Sequence, residues 1–164
     1  MRHQETGAAP LPEAAGYRFA LIVSRFNASI TTALCDGARA ALKEAGAAAT
    51  DVEEFQVPGA YELPQAARRA AEAGRFDAVV CLGCVIRGET PHFEYISSAV
   101  AHGIMEAAGE TGVPIAFGVL TTETAAQAEE RAKPGHDNKG WEAAAAAIEM
   151  ARLFRELTDR GRRA

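Results

Sequence analysis

Cysteine is scarce in this chain of 164 residues, with three in all at Cys35, Cys81 and Cys84. An odd count without paired spacing excludes a disulfide framework and a closed cysteine zinc site. Cys81 and Cys84 stand three apart. On an extended strand that spacing points the sulfurs to opposite faces, so they share neither a bond nor a metal unless the chain bends sharply at Gly83. Small buried side chains are the expectation for all three. No apolar run approaches the ~20 residues of a membrane span. Excess positive charge is also missing: 17 Lys and Arg face 22 Asp and Glu, a formal net charge of -5. That leaves no electrostatic case for binding nucleic acid, and an acidic substrate has to be met by basic groups placed locally. There is no Gly-x-Gly-x-x-Gly, no Gly-x-x-x-x-Gly-Lys-Ser/Thr and no Gly-x-Ser-x-Gly. Dinucleotide, P-loop and serine-hydrolase readings therefore lose their usual support. No repeat with a period of 20 to 50 residues occurs, and the one biased patch, Ala143 to Ala147, is simply good helix former.

What remains is an ordinary globular composition, 48% hydrophobic and 24% charged. The length suits one domain that buries roughly 70% of its unfolded surface without metal or disulfide staples. Residues 1–16 mix Glu5, Pro10, Pro12 and Glu13 with small residues and have no continuous apolar stretch. That argues against a signal peptide and for a flexible arm ahead of a single domain over 17–164, in a cytoplasmic protein.

Apolar runs alternate with helical spacing along the rest of the chain. Tyr17 to Val23 reads as a first strand, followed by Ser24-Arg-Phe-Asn27 and a helix from about Thr31 to Glu44 that Gly46 stops. A second strand near Asp51 to Val57 runs into Pro58-Gly-Ala-Tyr-Glu-Leu-Pro64, and the next helix ends at Gly74. The third strand, Asp77 to Leu82, is apolar throughout, as a strand buried on both faces requires. It leads into an irregular turn from Gly83 and a helix to about Glu110. Pro114 to Val119 is the fourth strand, and Thr121-Thr-Glu-Thr124 suits the start of a helix through Arg131. A last helix runs from Gly140 to about Arg160. The alternation predicts an α/β fold with a parallel sheet covered on both faces; the expected arrangement is three layers α-β-α around a four-stranded parallel sheet, flavodoxin-like in the order 2-1-3-4.

In a parallel sheet all the carboxyl ends lie along one edge, where ligands bind. Each exit here carries something polar or aromatic. Phe26 stands just past strand one and can either stack on a flat ligand or close the core. Gly59 allows a ligand close to the main chain, and Glu62 can accept hydrogen bonds from a polyol or serve the following helix as a macrodipole partner. Of four histidines, only His92 lies inside a dense polar motif at a strand exit. Its ordinary pKa near ~6.5 suits both taking and giving a proton, although a capping or surface role explains its position too. Gly88-Glu89-Thr90 precedes a helix whose free amides can hold an anion, with Arg87 or Arg131 adding charge.

Six segments taken together resemble the 6,7-dimethyl-8-ribityllumazine synthases. They are Ser24–Asn27, Val57–Pro64, Gly83–His92, Pro114–Thr122, Gln127–Ala132 and Asn138–Gly140, in the family's order, within a match from about Tyr17 to Leu153. The resemblance implies condensation of 5-amino-6-(D-ribitylamino)uracil with 3,4-dihydroxy-2-butanone 4-phosphate in riboflavin biosynthesis, releasing phosphate and water, with no metal and no organic cofactor. It implies that Phe26 stacks on the pyrimidine, that Ala60, Tyr61 and Glu62 line the ribityl chain, and that Cys84, Val85 and Ile86 edge the heterocycle. Glu89 and Thr90 would hold the phosphate-bearing substrate, Glu89 through its amide because its carboxylate would repel the ester. Arg131 and Lys139 would pair with the phosphate, His92 would shuttle protons, and Phe117 would come from a neighbouring subunit of a homo-pentamer. The turn Lys133 to Asp137 is short, which leaves room for a sixty-subunit capsid of twelve pentamers. The competing reading is a non-catalytic flavin or lumazine binder or a cage-forming homologue, against which His92 and Arg131 argue.

Overall fold

The strand nearest the middle of the chain sets the plan of the molecule. A computed structural model describes residues 10–163. In it β3 (Ala78–Ile86) lies between β1 (Phe19–Ser24) and β4 (Ile115–Thr122), with β2 (Val52–Val57) outside β1, so the sheet runs β2-β1-β3-β4. All three pairings are parallel. Alternate residues of β1 and β3 enter two separate cores. Phe19, Leu21, Val23, Val80, Leu82 and Cys84 pack with Leu34, Ala38 and Ile148 on one face. Ala20, Ile22, Val79 and Cys81 pack with Leu63, Ala67, Val100 and Ile104 on the other. The helices are thereby sorted into layers: α1 (Ala28–Glu44) and α5 (Lys139–Arg163) on the first face, α2 (Leu63–Glu72) and α3 (His92–Thr111) on the second. The short α4 (Ala125–Arg131) follows β4 and reaches the first core through Ala128. The α/β, three-layer expectation and its strand order hold. Cys81 and Cys84 do face opposite cores.

β3 outruns its expected end at Leu82 by four residues. Gly83 is no bend; β4 also continues, and Gly83, Cys84, Val85 and Ile86 pair with Val119, Leu120, Thr121 and Thr122. The ladder satisfies backbone groups that an irregular turn would have left to water. The helix after β1 starts earlier than expected because Asn27 takes a left-handed conformation, φ 61°, and its Nδ2 donates to the Cys84 carbonyl at 3.0 Å. Asn tolerates that region better than most residues. Thr124 accepts a hydrogen bond from the Gln127 amide at 3.2 Å, while the Gln127 side chain accepts one from the Glu123 amide at 2.9 Å. This is the capping pattern expected at the start of α4.

α1 and α5 approach closely because glycines face them. A methyl group on Gly140 would lie 1.9 Å from the Leu34 carbonyl oxygen, and one on Gly37 would meet the Asn138 side chain. Asn138 is 1% exposed and fully used. It donates to Ala33 and Ala132 carbonyls and accepts from the amides of Gly140 and Trp141, capping α5. Of the expected arm, residues 1–9 lie outside the described residues. Within 10–16, Ala14 is buried and its amide donates to Ala45 at 2.8 Å, and Arg152 donates to the Glu13 carbonyl. Among the described residues no helix is long and apolar enough to cross a membrane.

Gly140→Ala should lower the unfolding midpoint by an amount corresponding to about 1–3 kcal/mol, because backbone must shift to admit the methyl group. Gly161→Ala, where nothing lies within 4 Å, is the control and should leave the midpoint unchanged or slightly raised. Burial pushes the Cys81 thiol up to about 12 and Cys84 to about 11, and for Cys35 burial together with the Glu54 carboxylate gives about 12. A raised thiol pKa favours the neutral form, so at pH 8 roughly one thiol in a thousand or fewer is ionised. Native protein should react slowly with a thiol-specific reagent, and three thiols should appear on denaturation.

Candidate active site

The exits of β1, β2 and β3 are tied to one another by main-chain hydrogen bonds that extend the sheet past its strands. Arg25 donates to the Val57 carbonyl at 2.9 Å and Phe26 to the Pro58 carbonyl at 3.1 Å. Asn27 reaches across to Cys84, as described above. Gly83 sits against the Leu63 side chain, the Ser24 hydroxyl and Ala60, with no room for a side chain of its own. Three segments far apart in sequence therefore meet along one edge of the sheet.

Phe26 is 71% exposed, so the ring does not close the core. Tyr61 is also exposed, at 64%, whereas Ala60 beside it is buried. Glu62 uses one of its two carboxylate oxygens within the turn. Its Oε2 accepts the Gly59 amide at 3.0 Å and steadies the turn into α2. Oε1 has no hydrogen-bond partner among the described residues, which leaves it able to accept from a ligand. Val85 and Ile86 are half-buried at the strand end. The Cys84 side chain, by contrast, is only 2% exposed and belongs to the α1/α5 core. What Cys84 can offer a ligand is backbone.

Gly88, Glu89, Thr90 and His92 are all exposed on the connection into α3. Among the described residues, the amides of Gly88, Glu89 and Thr90 donate no hydrogen bond, and Pro91, which precedes the helix, supplies no side-chain cap. Free amides at the start of a 20-residue helix present partial positive charge to an anion. Arg87 does not supply the mobile charge that its position suggested. Its guanidinium pairs with Glu94, lies 2.7 Å from Glu123, and sits 4.5 Å over the Phe93 ring.

A second group of residues lies apart from the first. Phe117, Thr121, Arg131, Lys139 and Glu142 line a groove of about 550 Å³ along the open edge of β4. Phe117 is 46% exposed. Arg131 donates to the Gln127 carbonyl at 3.0 Å, and Lys139 bridges both oxygens of Glu142 at 3.0 and 2.8 Å. Sequence reasoning missed Glu142, although the i,i+3 spacing from Lys139 is a readable signal. None of Phe26, Glu62 or His92 lines this groove. Phe117 stands opposite Cys81, five positions before the last residue of β3. Cys81 in turn stands opposite Ile22, so at ~3.3 Å per residue Phe117 is set back about 16 Å from the end of β3 but only about 7 Å from Ser24 at the end of β1, and β4 lies two strand spacings, about 9.5 Å, from β1. Within one copy, β4, which lines the groove, and β1, which leads to Phe26, are separated by β3.

The sequence profile of the 6,7-dimethyl-8-ribityllumazine synthase family matches residues 16–155. The 6,7-dimethyl-8-ribityllumazine synthase of Syntrophus aciditrophicus (strain SB) is 55% identical over 144 residues, covering 88% of this chain and 94% of the relative. With the sheet order, the strand-exit residues and a match over most of its length, the chain belongs to the 6,7-dimethyl-8-ribityllumazine synthase family.

Proposed function

We propose that this protein catalyses the lumazine synthase reaction in riboflavin biosynthesis, joining 5-amino-6-(D-ribitylamino)uracil to 3,4-dihydroxy-2-butanone 4-phosphate. The observation that carries the reading is the junction of an exposed aromatic platform, a carboxylate with one free oxygen and a histidine-bearing anion loop on one sheet edge, in a chain of this family.

The chemistry asks for little reactive machinery. The amine of one substrate attacks the ketone of the other, water leaves to give an imine, phosphate is eliminated, and the remaining amine closes the ring with loss of water. Each step moves protons between nitrogen, carbon and oxygen. Phe26 holds the pyrimidine face, Ala60 and Tyr61 flank the ribityl chain, and the free Glu62 oxygen accepts its hydroxyls. Val85, Ile86 and the Cys84 backbone edge the heterocycle. The Glu89 and Thr90 amides receive the phosphate ester, and His92 carries protons to and from the reacting atoms. Alignment of two substrates can lower the barrier by several kcal/mol, up to ~7–11 in ideal cases. The acid/base group adds a smaller share, typically ~10²–10⁴-fold.

Phe117, Arg131 and Lys139 complete the pocket from a neighbouring copy in a homo-pentamer. Support for this comes from their shared groove, which none of Phe26, Glu62 and His92 lines, and from β3, which stands between that groove's strand and β1. All three then arrive together: Phe117 covers the ring, and the two cations meet the phosphate. The short turn Lys133 to Asp137 is compatible with twelve pentamers closing into a capsid. A cytoplasmic location fits substrates that are intermediates of small-molecule synthesis.

His92→Ala should slow turnover by about 10²- to 10⁴-fold and leave measurable lumazine formation, followed by absorbance. Complete loss in a folded, assembled variant would contradict the proton-carrier role. Arg131→Ala should raise KM for the phosphate ester much more than KM for the pyrimidine; an equal rise for both would count against phosphate pairing. A wild-type protein that shifts the spectrum of added flavin but never releases phosphate would be the non-catalytic binder.

A further inference from the structure

The loop that carries the anion-receptive amides and leads into His92 has almost nothing of its own to hold its shape. Gly88, Glu89 and Thr90 take part in no hydrogen bond among the described residues, and the first bond after them is a long one, from the Tyr95 amide to the Pro91 carbonyl at 3.4 Å. What fixes the loop lies at its two ends and meets in a single side chain. Before the loop, the Arg87 amide donates to the Thr122 carbonyl at 2.9 Å and carries the β3–β4 ladder one step beyond Ile86. After the loop, in the first turn of α3, Phe93 lies under the Arg87 guanidinium and Glu94 pairs with it. From the end of β4, Glu123 takes a third side of the same group at 2.7 Å. Glu123 also donates its amide to Gln127, in the cap of the helix that bears Arg131.

We propose that Arg87 is a positioning residue of the reaction: by clamping Glu94, Phe93 and Glu123 it sets the geometry of the Gly88–Pro91 loop and of His92, and so the fit of the phosphate-bearing substrate. The planar, forked guanidinium is what permits two carboxylates and a ring face to be engaged at once, which an ammonium group does poorly. The Glu94 carboxyl is held below its ordinary range, first by its hydrogen bond to Arg87, in keeping with a pair that is engaged. All three charged partners are substantially exposed, so the clamp contributes little to global stability. Its effect is local. Positioning matters here because displacement of reacting groups by about 1 Å can cost on the order of 10²-fold in rate.

The proposal rests on the lumazine synthase reading, and wild-type turnover is the control that separates the two. If wild-type protein forms no lumazine, the functional reading fails. Given an active wild type, kcat and both KM values are measured for Arg87→Gln, Arg87→Lys, Glu94→Gln and Glu123→Gln, with unfolding midpoints alongside. Arg87→Gln is expected to lower kcat/KM for the phosphate ester by about 10- to 100-fold, with KM for the pyrimidine within about twofold and the midpoint little changed. Arg87→Lys should recover only part of that loss. The carboxamide variants should each lose several-fold in the same parameter, and they keep the proposal testable should Arg87→Gln fail to fold. If Glu94→Gln and Glu123→Gln bind the ester more tightly, Arg87 is itself a phosphate ligand that its partners restrain, and the clamp is overturned. Unchanged kinetics in Arg87→Gln, or equal loss for both substrates with a collapsed midpoint, would overturn it as well.

Discussion

Four strands running in one direction place every strand exit on the same edge of the sheet, and the rest of the molecule follows from that constraint. Parallel neighbours cannot be joined by tight turns, so each connection must cross a face as a helix, and both faces are thereby covered. β3 has to be apolar along nearly its whole length because α1 and α5 pack on one side and α2 and α3 on the other. Burial of each of its Val and Leu side chains contributes about 1.5–3 kcal/mol, which makes this strand a poor place for polar chemistry and its exit a good one. Phe26, the Ala60 to Glu62 turn, Val85 and the loop to His92 all stand where the packing constraint ends.

The same sheet limits what one chain can do. Its strand order ends on β4, whose outer edge pairs with nothing among the described residues and is lined by Phe117, Arg131 and Lys139. The register sets Phe117 five positions back from the end of β3. The platform stands past the exit of β1 and the basic groove runs along β4, with β3 between them. The proposed pocket joins the exit edge of one copy to the groove of the next, so that catalysis and assembly depend on the same surface.

Much of this was legible in residue order. The apolar run Asp77 to Leu82, the helices stopped by Gly46 and Gly74, and the Thr124 cap follow from local rules, and the alternation of elements then restricts the topology. Opposite faces for Cys81 and Cys84 followed from strand geometry alone. The strand ends were less legible. Gly83 looks like a bend in isolation, and only the partner β4 shows that the ladder continues to Ile86. Phe26 could have been core or surface, because exposure depends on what packs above it and not on its neighbours in sequence. Arg87 looked like a free anion ligand because its partner Glu123 lies 36 positions further along the chain. Small buried side chains were expected for the cysteines, and the pleat does turn the Cys84 thiol into the core.

The shared pocket is tested most directly by mixing two defective proteins. His92→Ala damages the exit edge and Arg131→Ala the groove, so each homo-assembly has every site impaired. In assemblies reformed from equal amounts of both, about a quarter of the interfaces would pair an intact edge with an intact groove if subunits mix at random. A pocket built between copies predicts that lumazine formation in the mixed assemblies rises well above that of either parent, toward about a quarter of wild type. Activity that stays at the average of the two parents, with mixing verified by mass, would place His92 and Arg131 in the same copy's pocket or in none.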